Sequence, residues 1–221
     1  DHYVNSQPTI SDYDYDMIIN ELIKLENENP DFFDINSPSQ RVGNDTNVEF
    51  KQIKHKYQML SLGNTYSKQE IIDFDNRVRK TIGDNFEYVC ELKFDGTSIS
   101  ITYINGKLHH AVTRGDGVMG DDVTSNVKTI KSIPLQLHGN DYPDELEVRG
   151  EIIIPLKAFA RLNEERMEIG EDPFANPRNA ASGSLKIQKS SIVAKRPLDC
   201  YLYYVLGENL NFDNHYDNLL N

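Results

Sequence analysis

Apolar residues recur every three or four positions near the start of the chain, between residues 15 and 25. This spacing predicts an amphipathic helix that ends before Pro30. A second helix is predicted where Ser67 precedes Glu70 by three residues, because this spacing forms a capping box. The apolar side chains expected to face the core from the second helix are Ile71, Phe74 and Val78.

From Tyr88 onward polar and apolar residues alternate, which is the pattern of strands with one buried face. Asn105-Gly106 lies between two such runs and predicts a tight hairpin turn. Pro155 and Asn176-Pro177 predict the starts of two further helices. The strands are predicted at residues 90–96, 98–103, 107–114, 146–152 and 198–206. The predicted fold class is therefore α+β, with antiparallel sheets and flanking helices.

Composition and charge limit the partners and the cellular compartment that the sequence predicts. The chain has 221 residues and a net charge of −12, which by itself argues against nucleic acid as a partner. One segment departs from this balance, because no acidic residue lies between Asp172 and Asp199. The cations of this segment are Arg178, Lys186, Lys189, Lys195 and Arg196. The two cysteines form neither a disulfide framework nor a metal site, and no apolar run could cross a bilayer. We therefore expect a reducing intracellular compartment and no membrane partner.

The stretch Cys90–Gly96 carries the strongest candidate chemistry. If it is a strand, Glu91, Lys93 and Asp95 share one face. Cys90 then points to the apolar side and is expected to be a core cysteine. An amine between two carboxylates, just before a glycine turn, suits a reaction centre. The competing interpretation is a half-exposed strand with a surface salt bridge.

Two further strands carry charged side chains that would belong to the same site if the strands are neighbours. Arg114 precedes a glycine loop, where its guanidinium could grip a phosphate or a ribose, and Glu151 lies on a charged strand face. A lysine attacks only as the neutral amine, so such a site needs desolvation or a neighbouring cation such as Arg114 or Mg²⁺. These residues predict covalent lysine chemistry on a phosphoryl group. The alternatives are that Arg114 only flanks a turn and that Arg149 pairs with Glu151.

Several segments, taken together and in order, resemble the bacterial NAD-dependent DNA ligases. Glu91–Gly96 is similar to the lysine motif of covalent nucleotidyltransferases, which include DNA ligases, RNA ligases and capping enzymes. The other matching segments are Ile10–Asp16, Ser37–Gly43, Met59–Leu62, Thr113–Gly117, Leu146–Glu151 and Phe174–Ala181. The resemblance implies a covalent nucleotidyltransferase fold, an ATP-grasp-like ligase fold, over residues 49–221. It also implies a small helical module at residues 1–48 that binds the nicotinamide mononucleotide half of NAD.

The resemblance further implies the reaction. Lys93 would attack the α-phosphorus of NAD and keep AMP, which passes to the 5′-phosphate of a DNA nick before the 3′-hydroxyl closes the break. Among the nucleotide-binding residues, Glu91 would read adenine and Tyr203 would stack on it. The full implied set is Ser61, Leu62, Glu91, Asp95, Arg114, Glu151 and Tyr203. Mg²⁺ is implied as a cofactor with no residue assigned as its ligand, and zinc belongs only to a family domain outside this chain.

The N-terminal segment is implied to select NAD over ATP. Asp12, Tyr15 and Asp16 match the family residues that bind the nicotinamide half, although an acidic helix start is the simpler interpretation. In the cationic segment, Arg178 matches a family residue that faces nicked double-stranded DNA. Lys186 stands where the family commonly has an arginine, which keeps the charge but loses the bidentate fork.

The family pattern also leads us to expect a chain that is truncated at both ends. Two further lysine motifs belong to the matching domain, so the isolated chain is expected to be weakly active or inactive in self-adenylation. His2 also stands where the family usually has a tyrosine.

Two alternatives stay open. One is an ATP- or GTP-dependent RNA ligase or capping enzyme, which has no need of an N-terminal nicotinamide module. The other is a non-catalytic fragment that binds NAD or DNA. The protein expected from the resemblance is a monomer in the bacterial cytoplasm, associated with the nucleoid and active in DNA replication and repair.

Overall fold

The computed structural model describes residues 12–32, 34, 36–41, 50–139, 141–210 and 212–220. The helices are α1 (Asp12–Glu28), α2 (Lys68–Ile82), α3 (Thr124–Val127), α4 (Leu156–Glu168), α5 (Pro177–Leu185), α6 (Ser190–Val193) and α7 (His215–Leu220), with 3₁₀ turns at Pro30–Phe32 and Pro38–Arg41. The strands are β1 (Gln52–Lys54), β2 (Thr97–Ile104), β3 (Lys107–Thr113), β4 (Met119–Asp121), β5 (Glu145–Ile153) and β6 (Asp199–Gly207). The predicted α+β class is confirmed. Among these helices, none combines the length and apolar character needed to cross a membrane.

The main sheet has the strand order β3-β2-β5-β6, and every neighbouring pair is antiparallel. The β2–β3 hairpin turns at Asn105-Gly106, whose φ angles of 48° and 74° suit a two-residue turn. One face of the sheet forms the core, where Ile99, Ile101 and Ile152 are completely buried and pack with Val127. Burying each such side chain contributes about 1.5–3 kcal/mol, so this face is fixed and the polar face points the other way.

A second, two-stranded sheet pairs β1 with β4. Beyond β1 the chain follows the loop after β3, because the amides of His55 and Met59 donate to the carbonyl oxygens of Val118 and Gly117 at 2.9 Å. Gly117 has a φ of +92°, and a Cβ there would lie 2.6 Å from the Met59 carbonyl oxygen. Only glycine allows this close approach, which places residues 59–62 beside the end of β3.

Helices α4 and α5 pack together around a small second core that includes Ile154, the residue after β5. Helix α5 begins as predicted, with Asn176 as N-cap and Pro177 in the first turn. The Asn176 side-chain oxygen accepts a hydrogen bond from the Asn179 amide at 2.8 Å. This cap fixes the direction in which the first turn of α5 leaves the sheet.

Helix α2 has the predicted capping box but not the predicted burial. The Glu70 amide donates to Ser67 Oγ at 3.3 Å, and the Glu70 carboxylate accepts from the Tyr66 amide at 2.6 Å. Ile71 and Phe74, however, are 59% and 46% exposed, so the expected buried face is wrong. Capping depends on residues next to each other in the chain, whereas burial depends on what packs against the helix.

The predicted strand at residues 90–96 is also wrong. The chain between α2 and β2 is irregular, and Leu92 is 79% exposed. Cys90 is exposed as well, so it is not a core cysteine. A strand needs a neighbour to receive its backbone hydrogen bonds, and the described part of the chain supplies none for this segment.

Candidate active site

Arg114, Ser98 and Glu151 form a polar row across three neighbouring strands. Arg114 directly follows β3, and its amide donates to the Ser98 carbonyl oxygen at 3.2 Å. Ser98 of β2 is the register partner of Glu151 in β5. Residues paired across antiparallel strands project to the same face, so the row lies on the side of the sheet away from the core. The condition that the strands be neighbours is therefore met for those that carry Arg114 and Glu151, whereas the strand predicted for Lys93 does not form.

Glu151 is the fixed point of this row. It is 9% exposed, and both carboxylate oxygens accept hydrogen bonds. Ser98 Oγ donates to one oxygen at 2.7 Å, and the Gly96 amide donates to the other at 3.3 Å. The buried carboxylate thus joins the sheet to the end of the segment that carries Lys93.

Tyr203 adds an aromatic ring to the row. It lies in β6 where the register with β5 shifts, and its side chain hydrogen-bonds with Ser98. Burial raises the pKa of the Tyr203 hydroxyl, and the nearby Glu151 carboxylate raises it further. A neutral, half-buried ring beside a buried carboxylate is a suitable wall for stacking a flat base.

Lys93 projects into solvent from the irregular segment before β2. Within the described part of the chain, its ammonium group has no hydrogen-bond or ion-pair partner. The salt bridge considered from the sequence, with Glu91 or Asp95, is therefore wrong. The amine is accessible from solvent, as a nucleophile that meets an incoming substrate must be.

The two flanking carboxylates contact other elements instead. Glu91 pairs with His215 of α7, with 2.6 Å between Oε1 and Nε2. Asp95 pairs with Arg178 in the first turn of α5, with 3.1 Å between Oδ1 and Nη1. These pairs connect the lysine segment to α7 and to α5, and no local pattern predicted the contact with His215.

Ser61 and Leu62 lie beside the polar row. Arg114 Nη1 donates to Ser61 Oγ at 3.4 Å, which brings the predicted guanidinium and the predicted nucleotide-binding segment together. Leu62 is exposed. The structure thus gathers Ser61, Arg114, Glu151 and Tyr203 around one face.

Lys186 lies apart from this cluster, directly after α5. Its ammonium pairs with Asp121 of β4 at 2.6 Å. Arg178 is more than half exposed despite its contact with Asp95. The proposed contacts of Arg178 and Lys186 with DNA stay predictions.

The hydrogen-bond partners of Arg149 were not predicted from the sequence. The alternative of a pair with Glu151 is wrong, because Arg149 Nε donates to Glu147 at 2.8 Å. Its other two nitrogens donate to the carbonyl oxygens of Tyr57 and Gln58. The alternation of Glu147, Arg149 and Glu151 on one strand face was the available signal, although it did not identify the partners.

The nicotinamide residues lie at the edge of what the structure describes. Helix α1 runs from Asp12 to Glu28 and so ends before Pro30, as predicted. The side chains of Asp12, Tyr15 and Asp16 lie outside the described part, so their assignment stays a prediction. His2 lies outside it as well.

The side chains gathered here fit a nucleotide. A guanidinium, a half-buried phenol ring and a buried carboxylate provide groups for a phosphate, a base and a sugar hydroxyl. The accessible Lys93 amine lies on the segment that the Gly96–Glu151 hydrogen bond joins to this group. Among the described residues, no group of three His, Cys, Asp or Glu side chains is arranged to hold a metal ion. Mg²⁺ commonly takes only one or two protein carboxylates and completes its shell with water and substrate phosphates, so this donor set is compatible with it.

An antiparallel sheet with this site defines an adenylation domain of the nucleotidyltransferase type. The family model of the NAD-dependent DNA ligase adenylation domain matches residues 47–221. A second model, of the N-terminal NAD⁺-binding domain of DNA ligase-like proteins, matches residues 1–43. The chain therefore belongs to the NAD-dependent DNA ligase adenylation-domain family.

Curated relatives named DNA ligase are similar to almost the whole chain. The chain is 59% identical over 99% of its length to a DNA ligase of Bacteroides fragilis and covers 33% of that protein. It is 55% identical over 99% of its length to a DNA ligase of Flavobacterium psychrophilum, again covering 33%. The chain thus spans about a third of the length of these relatives.

Proposed function

We propose that this chain is the nucleotide-activating part of an NAD-dependent DNA ligase and that Lys93 is the residue that becomes adenylated. The observation that carries the proposal is the accessible Lys93 amine on a segment whose end, Gly96, is bonded to the buried Glu151. Family membership supports NAD as the substrate. The proposed point of attachment is one atom, Lys93 Nζ.

In the proposed reaction, the neutral Lys93 amine attacks the α-phosphorus of NAD. A phosphorus–nitrogen bond forms, the bond to the bridging oxygen breaks, nicotinamide mononucleotide leaves and the amine proton passes to water. Arg114 and Ser61 hold the ribose and phosphate side, while Tyr203 and Glu91 hold adenine. Mg²⁺, when bound, would neutralise phosphate charge, and the exposed Asp95 carboxylate is the side chain suited to face it.

Glu91 must exchange its partner in this scheme. Its carboxylate is paired with His215, so adenine binding replaces or shares that contact. Asp95 is likewise paired with Arg178. The DNA-facing role of Arg178, in the first turn of α5, requires Asp95 to release it, and Lys186 adds positive charge at the opposite end of the same helix.

The remaining proposals follow from the family. Residues 1–48 would form the module that binds the nicotinamide half through Asp12, Tyr15 and Asp16, and residues 49–221 the adenylation domain. AMP would pass from Lys93 to the 5′-phosphate of nicked double-stranded DNA, and the 3′-hydroxyl would seal the break. The whole protein would act as a monomer in the bacterial cytoplasm, associated with the nucleoid.

Intact-mass measurement after incubation with Mg²⁺ and either NAD or ATP tests the proposal. The full-length protein should gain the mass of one AMP with NAD and none with ATP. Lys93→Ala should gain none, whereas Lys157→Ala, which removes another exposed lysine, should behave as the unaltered protein does.

Two results would contradict the proposal. An adduct with ATP but not NAD would favour an RNA ligase or capping-type enzyme. Binding of NAD without any adduct in the full-length protein would favour a non-catalytic role. The isolated chain is expected to bind NAD and to form little or no adduct.

A further inference from the structure

Arg149 lies on the same face of β5 as Glu151 but reaches away from the polar row. Its side chain is 12% exposed, and its partner Glu147 is 5% exposed. Nη2 donates to the Tyr57 carbonyl oxygen at 2.5 Å, Nη1 to the Gln58 carbonyl oxygen at 3.1 Å, and Nε to Glu147 at 2.8 Å. Every nitrogen of the guanidinium has an acceptor, so this partly buried cation is not a free phosphate-binding group.

Residues 57–62 need an external anchor because they belong to no helix or strand. Besides Arg149, their anchors are the Met59 amide, which donates to the Gly117 carbonyl oxygen at 2.9 Å, and the buried Met59 side chain. Ser61 follows two residues later and contacts Arg114. The position of Ser61 relative to the polar row thus depends on how Tyr57 and Gln58 are held.

We infer that Arg149 is a positioning residue, which clamps residues 57–62 against β5 so that Ser61 and Leu62 form one wall of the nucleotide site. The inference rests on the proposed function, since it assigns a role in binding NAD. The planar guanidinium holds two adjacent carbonyl oxygens and a carboxylate at once. Lysine keeps the charge but cannot reproduce this fork, so charge alone does not provide the clamp.

The chain offers a matched control in Arg166. Its side chain is 20% exposed, its Nη1 pairs with Glu171, and its Nε donates to the Asp172 carbonyl oxygen at 2.8 Å. It lies in α4, outside the polar row and residues 57–62. Arg166→Met therefore removes a similar guanidinium-to-carbonyl contact without touching the proposed wall.

The experiment measures NAD affinity by calorimetry in full-length protein that carries Lys93→Ala, so that NAD is not consumed. Arg149→Met and Arg149→Lys should each weaken binding about tenfold, equivalent to about 1.4 kcal/mol. Arg166→Met should leave the affinity unchanged. Hydrogen exchange should become faster at residues 57–62 in the two Arg149 variants only.

In protein that retains Lys93, the same Arg149 variants should raise KM for NAD more than they lower kcat. Unchanged affinity in both Arg149 variants, or an equal loss in Arg166→Met, would overturn the inference. If Arg149→Met does not fold, Arg149→Lys carries the test. Failure of the proposed function is separate, because it would appear as absence of an AMP adduct in the unaltered protein.

Discussion

Two regions of the candidate site are built in different ways. The sheet face that carries Glu151 and Arg149 is fixed by backbone pairing with β2 on one side and, with one register shift, with β6 on the other. The segment that carries Lys93 has no such pairing in the described part of the chain. It is held by the ion pairs of Glu91 and Asp95, by Phe94, which stacks on Tyr201 of β6 at 4.4 Å between ring centroids, and by the Gly96 amide on Glu151. The sheet can therefore orient a bound nucleotide in advance, whereas the position of the nucleophile depends on a few separate contacts.

Gly96 joins the two regions and gives the largest expected effect. A Cβ at this position would lie 2.1 Å from the Ile152 carbonyl oxygen, so Gly96→Ala must push the lysine segment away from β5. We expect a loss of about 3 kcal/mol in the free energy of unfolding, at the upper end for overpacking. Adenylation by NAD should fall with it, beyond the loss explained by unfolding. Urea unfolding and an adenylation assay on the same samples measure both.

Gly183 provides the control for that experiment. It lies in α5 with no atom within 4 Å of an added Cβ. Gly183→Ala should keep or slightly raise stability, since alanine favours a helix more than glycine does. If Gly96→Ala were as stable and active as Gly183→Ala, the close packing of Gly96 against β5 would be contradicted.

Glu151→Gln tests the fixed region with a smaller change. It keeps the shape of the side chain but weakens the hydrogen bonds from Ser98 and Gly96, so stability should fall by about 1.5 kcal/mol. The pKa of the Tyr203 hydroxyl should also fall, because the Glu151 charge helps to raise it. It should stay above the usual tyrosine value, since burial is the larger cause. NMR titration of ring-labelled tyrosine, assigned with Tyr203→Phe, measures this pKa. An unchanged pKa would show that the Glu151 charge does not act on the Tyr203 hydroxyl.

The two cysteines allow packing in the sheet and in the lysine segment to be compared with little change to the protein. Cys200 lies in β6, where burial raises the pKa of its thiol to about 12, whereas Cys90 is exposed in the lysine segment. At pH 8 a disulfide reagent should label the Cys90 thiol rapidly in folded protein and both thiols after unfolding in urea. Cys90→Ser should remove the rapid reaction. Rapid labelling of Cys200 in the folded protein would show that β6 is not packed as described.

Patterns that depend on neighbours in the chain predicted the structure well. The Asn105-Gly106 turn, the Ser67 capping box and the Asn176 cap all formed, because each is decided within a few residues. The alternation along β5 also correctly separated Val148 from the charged residues. What it left open was the identity of their partners, and Arg149 contacts a segment about ninety residues earlier in the chain.

Patterns whose outcome depends on residues far away in the chain predicted the structure less well. The alternation from Cys90 to Asp95 suits a strand, but alternation says nothing about which backbone would pair with it. The apolar residues of α2 likewise show helical spacing without revealing what covers them. The candidate site residues were predicted from motifs, whereas the contact between Glu91 and His215 has no local signal.

AMP from NAD is proposed to attach to one atom, Lys93 Nζ. The most direct test is to incubate the full-length protein with NAD and Mg²⁺, digest it and locate the adduct by tandem mass spectrometry. We expect one AMP on the peptide that contains Lys93, stable in alkali and released by acid as expected of a phosphorus–nitrogen bond. An AMP on any other residue, or none on a protein that is folded and binds NAD, would contradict it.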